Sequence, residues 1–229
     1  PKYDTADYLT DAELDHIRAL YAGTVTMLDR RFGRLLQKVK DLGVWDQTAV
    51  FFISDHGWYH GEHNYVGKHA DLTPEKGWPF YDEIAHIPLI AHIPGATEPG
   101  RTDILCQPVD IMPTVLDLAG TRPQADLHGA SLLPGLKGKP GPSRDVVVTA
   151  PRLPEKTDRC VYTTITDGTW TLMHPAGQAA PELYNIDEDP AQQHNVIARE
   201  SDRAQQLHQS HLQLLRDIGT PENMLRLRT

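Results

Sequence analysis

The sequence predicts an α/β protein followed by a smaller antiparallel β region that a helix closes, and three observations carry that prediction. First, a long amphipathic stretch runs through a short turn into a strand that is apolar on both faces. Second, a loop rich in glycine, histidine and charge begins where that strand ends. Third, the last part of the chain turns to short strands, a tight hairpin signal and one more amphipathic stretch. The division is expected near residue 140, with 1–140 as the larger α/β part and 141–229 as the small antiparallel one.

The elements follow in order. Thr10-Asp11-Ala12-Glu13 is a capping-box signature. Leu14, Ile17, Tyr21, Val25, Leu28, Phe32, Leu35, Val39 and Leu42 then recur at steps of three or four, one stripe of a helix that Gly43 ends. Residues 49–54 (Ala-Val-Phe-Phe-Ile-Ser) form a run without alternation, the pattern of a central strand in a parallel sheet. Residues 55–78 show no sustained period and are predicted to be a long ordered loop, a feature that compact domains keep for function. A second strand is predicted over 87–93, with Pro88 at its start, and a helix over 110–119, with Pro113 in its first turn. Residues 121–144, rich in Gly, Pro and Lys, connect the two parts. Strands follow over 145–149, 161–166, 169–173 and 182–186, the middle two flanking Asp167-Gly168. Leu207, His211, Leu214, Leu215 and Ile218 mark the last helix.

Composition narrows the function. With 229 residues, of which 39% are apolar, the chain is long enough to bury a real core. The formal net charge of −9 opposes phosphate backbones and anionic lipid surfaces, so neither nucleic acid nor membrane is an expected partner. An anionic substrate would need a metal or a local cationic cluster to reverse that field. No apolar segment reaches the length that spans a bilayer. Cys106 and Cys160 match no metal spacing and are too few for a disulfide framework. They read as small buried hydrophobes. The chain opens at Pro1 rather than Met, on a polar stretch, and is expected to be a piece of a longer protein.

Ligands in open α/β sheets bind at the carboxyl ends of strands, which is where Asp55 and His56 stand. An adjacent carboxylate and imidazole can meet one cation, and Gly57 lets the backbone turn away behind them. Carboxylate oxygen suits hard divalent ions, and imidazole extends the range to manganese, iron or zinc. Two ligands do not complete a site, so the others must come from elsewhere in the fold. The competing reading makes Asp55 a turn cap and His56 a satisfied polar residue. Lys68, on the same loop, either faces a tetrahedral anion and the charge on its leaving oxygen or lies solvated at the surface. His60, His63 and His69 either contact substrate and move protons or pack the loop. His60-Gly61-Glu62-His63 is not a zinc-protease motif: the histidine spacing is wrong, and three glycines oppose a helix there. Cys106-Gln107-Pro108-Val109-Asp110 has Asp where an activating Arg would be needed.

Taken together, these segments resemble sulfatases of the alkaline phosphatase superfamily. Ser54-Asp55-His56-Gly57, Gly61-Glu62-His63 and Gly67-Lys68 resemble the family's metal and anion block. Residues 21–36 are similar to its preceding helix, and Ile87-Pro88-Leu89-Ile90 with Pro94-Gly95 to its next strand. Residues 109–120 resemble its Asp-containing Pro-Thr helix, and Glu182-Leu183-Tyr184-Asn185 with Asp189-Pro190 and Asn195 its C-terminal segment. The resemblance implies part of an alkaline-phosphatase-like mixed sheet with flanking helices. It implies Asp55 and His56 as ligands of a divalent metal, most often calcium, with manganese or zinc possible. It implies Lys68 as the sulfate contact, and a small sulfate ester or sulfated carbohydrate as substrate. The family's nucleophile is a formylglycine made from the Cys or Ser of a Cys/Ser-x-Pro-x-Arg motif, and its hydrated form attacks sulfur. An aspartate pair completes the family's metal site. Neither that motif nor that pair is present here, so the missing N-terminal half of the same protein is an expected partner and the fragment alone is expected to be inactive. Residues 70–79 lengthen the loop after Lys68 relative to the family. The Asp-His pair also occurs in phosphonate and phosphodiester hydrolases of the superfamily, which leaves sulfate and phosphate chemistry both open. A stand-alone, non-catalytic domain that binds an anion or a partner is the third reading.

Overall fold

Thr10 opens the first long helix as its sequence dictates. In a computed structural model describing residues 4–68, 77–96, 99–122, 125–151 and 160–228, helix α1 spans Asp11–Asp41. The Thr10 hydroxyl accepts from the Glu13 N–H at 3.3 Å, and the Glu13 carboxylate accepts from the Thr10 N–H at 2.8 Å. Acidic residues sit in the first turn and Lys38 and Lys40 in the last, the arrangement that the helix dipole favours. The chain divides into two compact units, residues 1–69 with 87–100 and residues 70–86 with 101–229. No helix among the described residues is long and apolar enough to cross a membrane.

The first unit holds α1 and five short strands: β1 (Asp4–Thr5), β2 (Val50–Ile53), β3 (Tyr59–His60), β4 (Tyr65–Gly67) and β5 (Leu89–His92). Phe32 of α1 meets Phe52 of β2, ring centroids 5.2 Å apart. The pairing of β2 differs from its sequence expectation. It lies antiparallel to β5, with Phe51 opposite Ala91 and Phe52 opposite Ile90, and no parallel partner occurs among the described residues. An apolar pattern on both faces reports how the strand is to be covered and is silent on the direction of its neighbour. The loop after β2 is also more regular than its sequence suggests, since β1, β4 and β3 form a small antiparallel sheet in that order. Strands of two or three residues are too short to show a period.

The second unit begins with α2 (Asp82–Ala85) and a 3₁₀ turn leading into α3 (Ile111–Leu118), then α4 (Leu133–Leu136). Strands β6 (Val147–Thr149), β7 (Val161–Thr166), β8 (Trp170–Ala176) and β9 (Glu182–Asn185) form an antiparallel meander. Helix α5 (Ser201–Asp217) packs on it, and α6 (Glu222–Leu225) follows. The expected hairpin is present: Asp167 accepts from the N–H groups of Thr169 and Trp170 at 3.0 and 2.8 Å, and Gly168 takes a φ of +94°. Val146, Ile165, Leu172, Leu183, Ala204 and Leu207 make the core, contributed by alternate strand positions and one face of α5.

Two polar devices tie the longer connections to this sheet. Asp110, fully buried, is gripped by both terminal nitrogens of Arg144 and accepts from the N–H groups of Gln107 and Ala130, each at 2.8 Å. Burial alone would raise its carboxyl pKa, but the guanidinium and the two N–H groups hold it below its ordinary value. The segment before α2 is fastened by Tyr81, whose hydroxyl donates to Glu182 at 2.7 Å, and by Thr164, which donates to the Phe80 carbonyl at 2.7 Å.

Candidate metal and anion site

The site is assembled by the end of β2 and the hairpin of β3 and β4. Past Ile53 the chain turns, and the Ser54 hydroxyl donates to the His56 carbonyl at 2.7 Å. The His56 N–H donates to Asp55 Oδ1 at 3.0 Å, which holds the carboxylate beside its own backbone. The ring of His56 is oriented by its other nitrogen: Nδ1 lies 2.7 Å from the Gly57 carbonyl oxygen. A carbonyl only accepts, so Nδ1 carries the proton and Nε2 presents its lone pair. Asp55 Oδ2 lies 3.4 Å from that nitrogen.

Two acceptors facing each other at this distance call for a cation. One is supplied by Lys68, whose Nζ lies 2.5 Å from His56 Nε2. The hairpin explains why a residue twelve positions on reaches His56: β4 runs back along β3, pairing Tyr59 with Gly67, and delivers the next residue to the end of β2. Asp55 and Lys68 are exposed and His56 is half-buried. Among the described residues no third histidine, cysteine or acidic side chain joins them as a metal ligand. The donor set nevertheless fits one half of a divalent-cation site: a carboxylate oxygen and a neutral imidazole with its proton fixed on the far nitrogen.

His60 ends β3, and His63 sits on the turn between β3 and β4. The contacts of His60 run to α1: its ring lies 4.2 Å from that of Tyr21, and its carbonyl accepts from Arg18 Nε at 3.1 Å. Burial lowers the pKa of its imidazole, with Arg18 reinforcing the effect and Glu62 opposing it. His63 lies edge-on to Tyr59 at 6.4 Å and takes a left-handed backbone, φ 52°. Gly61, φ +109°, approaches Leu14 and Arg18 so closely that a Cβ there would lie 3.1 Å from each. His69, also expected in the site, lies outside the described residues. The structure thus brings Asp55, His56 and Lys68 together and places His60 against the helix.

Sequence reasoning missed Arg18 as a support of this turn. The signal was available: Leu14, Arg18 and Tyr21 recur at helical spacing on one face. It was masked because a charged residue beside an apolar stripe ordinarily reads as solvated.

The sulfatase family profile matches residues 1–121, and the profile described as N-sulphoglucosamine sulphohydrolase, C-terminal, matches residues 74–218. The chain belongs to the sulfatase family. An N-acetylglucosamine-6-O-sulfatase of Bacteroides thetaiotaomicron is 35% identical over 120 residues, 52% of this chain and 20% of that protein. A multifunctional alkaline phosphatase superfamily protein, PehA, of Trinickia caryophylli is 30% identical over 204 residues, 82% of this chain and 38% of that protein. Among solved structures, the phosphonate monoester hydrolase of Agrobacterium radiobacter superposes with a TM-score of 0.76 at 29% identity, over 91% of this chain and 43% of that one. The fold is therefore alkaline-phosphatase-like, as the resemblance implied, and this sulfatase-family chain spans less than half the length of these relatives.

Proposed function

We propose that the chain is the C-terminal portion of a metal-dependent sulfuric ester hydrolase and carries half of the metal site together with the anion-binding lysine. The observation that supports this reading is the convergence of Asp55 Oδ2, His56 Nε2 and Lys68 Nζ at the end of β2. Asp55 and His56 would hold a divalent cation, calcium by family resemblance with manganese or zinc compatible with the imidazole, and the ion would offset charge on the ester oxygens. Lys68, whose ammonium lies beside His56, would contact a sulfate oxygen and stabilise the charge that develops as the ester bond breaks. His63 would serve proton transfer at the leaving oxygen and His69 substrate contact; His60, expected from the sequence to contact substrate, rests against α1 instead. The remaining ligands and the nucleophile, a formylglycine by resemblance, would come from the other half of the same protein. A sulfated carbohydrate or small sulfate ester is the substrate class.

A second reading, a phosphonate or phosphodiester hydrolase, is favoured by the similarity to the phosphonate monoester hydrolase. Paired aryl sulfate and aryl phosphonate esters separate the two. In the whole protein, Lys68→Ala is expected to lower turnover about 10²- to 10³-fold with folding unchanged. Asp55→Ala is expected to abolish metal-dependent turnover and to weaken metal binding measured calorimetrically. The 229 residues alone are expected to be inactive on either ester. Metal-dependent turnover by them, lost on Asp55→Ala, would show that the site needs no second half. Normal kinetics in Lys68→Ala would remove that residue from it. Whole protein with no turnover of either ester would favour a non-catalytic binding domain.

A further inference from the structure

The second unit contains a group of cationic and titratable side chains that this chemistry does not use. His174 of β8 stacks on His208 of α5, ring centroids 4.0 Å apart and 18° from parallel. His211, one turn further along α5 and 1% exposed, lies 6.5 Å from His208. Against them packs the segment that holds α6 and Arg228. Arg228 is 2% exposed, an unusual place for a permanent cation. Its N–H donates to the Leu225 carbonyl and its Nη1 to the Met224 carbonyl, each at 2.9 Å. Its own carbonyl accepts from His208 Nε2 at 2.7 Å, which fixes the proton of that ring on Nε2.

Among the described residues the charges acting on these rings are all of one sign. His174 and His211 each feel Arg228 and the neighbouring imidazoles, and no described carboxylate offsets them. The acids of the surrounding elements are engaged elsewhere. Asp167 binds Arg203, Glu182 accepts from Tyr81 and Tyr184, Asp217 accepts from Gln213, Glu222 faces Arg226, and Asp202 lies on an outer groove of α5. Arg228 Nε and Nη2 and His211 Nδ1 are buried with no hydrogen-bond partner among the described residues. Buried donors left unpaired make the attachment of this segment thin.

We propose that residues 221–228 form an acid-released latch, closed on α5 and β8 while His174, His208 and His211 are neutral and opened when those rings take up protons beside Arg228. In the closed state burial, then the Arg228 and imidazole charges, lower the pKa of His174 to about 4 and that of His211 to about 3, from an ordinary 6.5. Burial also lowers that of His208, with the Arg228 carbonyl opposing. Because the closed-state values are depressed, closure is fully favoured above 6.5 and is lost as pH falls from there toward the closed-state values. If opening restores each ring to its ordinary 6.5, His174 and His211 each raise the opening constant ~30-fold by pH 5, and the two together ~1,000-fold.

Hydrogen–deuterium exchange of the full chain at pH 7.5 and pH 5.0, corrected for intrinsic rates, reads this directly. The amides of 222–228 are expected to lose about a thousandfold of protection, or all they have, while β7 keeps its own. In the His174→Gln/His211→Gln variant that loss is expected to shrink to the part that His208 alone supplies. Equal protection of 222–228 at both pH values, a parallel loss in β7, or an unchanged loss in the variant would overturn the latch. Should the variant not fold, ring-proton titrations of the unaltered chain decide. Rings of His174 and His211 that stay neutral until the 222–228 amides open support the proposal, and rings that titrate at the ordinary value with the segment still protected refute it.

Discussion

The two units treat their apolar residues in opposite ways. In the second, the β6–β9 meander and α5 bury one another, and Leu183 is 0% exposed. In the first, α1 runs 31 residues without a buried one. Leu35 is 58% and Leu42 61% exposed, although both lie on the stripe that makes the helix amphipathic. Exposed apolar patches on this scale mark surfaces meant to be covered. The contrast separates a region whose sequence carries its own core from one that leaves much of an apolar helix face exposed. The candidate metal half-site belongs to the second kind, which agrees with a chain that spans only part of its relatives.

The most damaging substitution is expected in the self-sufficient unit. Asp110→Ala strands the half-buried Arg144 as an unpaired cation and costs about 3 kcal/mol. Because the Asp110 carboxyl is held below its ordinary 3.8, its contribution is full above that value and is lost as pH falls through the depressed one. Amide exchange in β7 and β8 at pH 6 and pH 3 checks both effects. A stability change below ~1 kcal/mol at pH 6 would mean that the ion pair is replaceable and that the sheet holds the connections without it.

The next test sharpens the comparison itself. Leu183→Ala opens a cavity in a filled core and is expected to cost about 2–5 kcal/mol whether the 229 residues stand alone or within the whole protein. Leu35→Ala is expected to cost less than ~0.5 kcal/mol in the 229 residues alone and about 2 kcal/mol or more in the whole protein. Urea denaturation of both forms measures the four values. Equal costs for Leu35→Ala in the two settings would break the comparison, since α1 would then have nothing to gain from further chain.

The same contrast explains what was legible in the sequence. The meander, its Asp167-Gly168 turn and α5 were readable because their burial is local and periodic. The cap of α1 was readable for the same reason, and Asp55, His56 and Lys68 were singled out by the family resemblance of the whole set of segments, while the fold supplies their proximity. The β1, β4 and β3 sheet was not, since its strands are too short to alternate. The antiparallel partner of β2 was not, because its residues encode burial on two faces and no direction. Asp110 was noticed as the start of a helix and as standing where an Arg would be needed, while the Arg that it binds lies 34 residues away. His211 read as one more member of an apolar stripe, and only the fold sets it beside His208, His174 and Arg228.

The smallest effect lies at the start of α1. Thr10→Ala removes the hydroxyl that caps the Glu13 N–H and leaves the Glu13 carboxylate its single backbone partner. An N-cap of this kind is worth about 1 kcal/mol. In a helix whose apolar stripe is open to solvent, little tertiary packing compensates the loss, so fraying is expected to spread past the first turn toward Arg18 and Tyr21. Those residues brace His60, and amide exchange at 11–21 should therefore rise together with exchange at His60 and Gly61. Faster exchange confined to 11–14 would mean that the turn of β3 and β4 holds its shape without the helix, and that Arg18 follows the loop rather than fixing it.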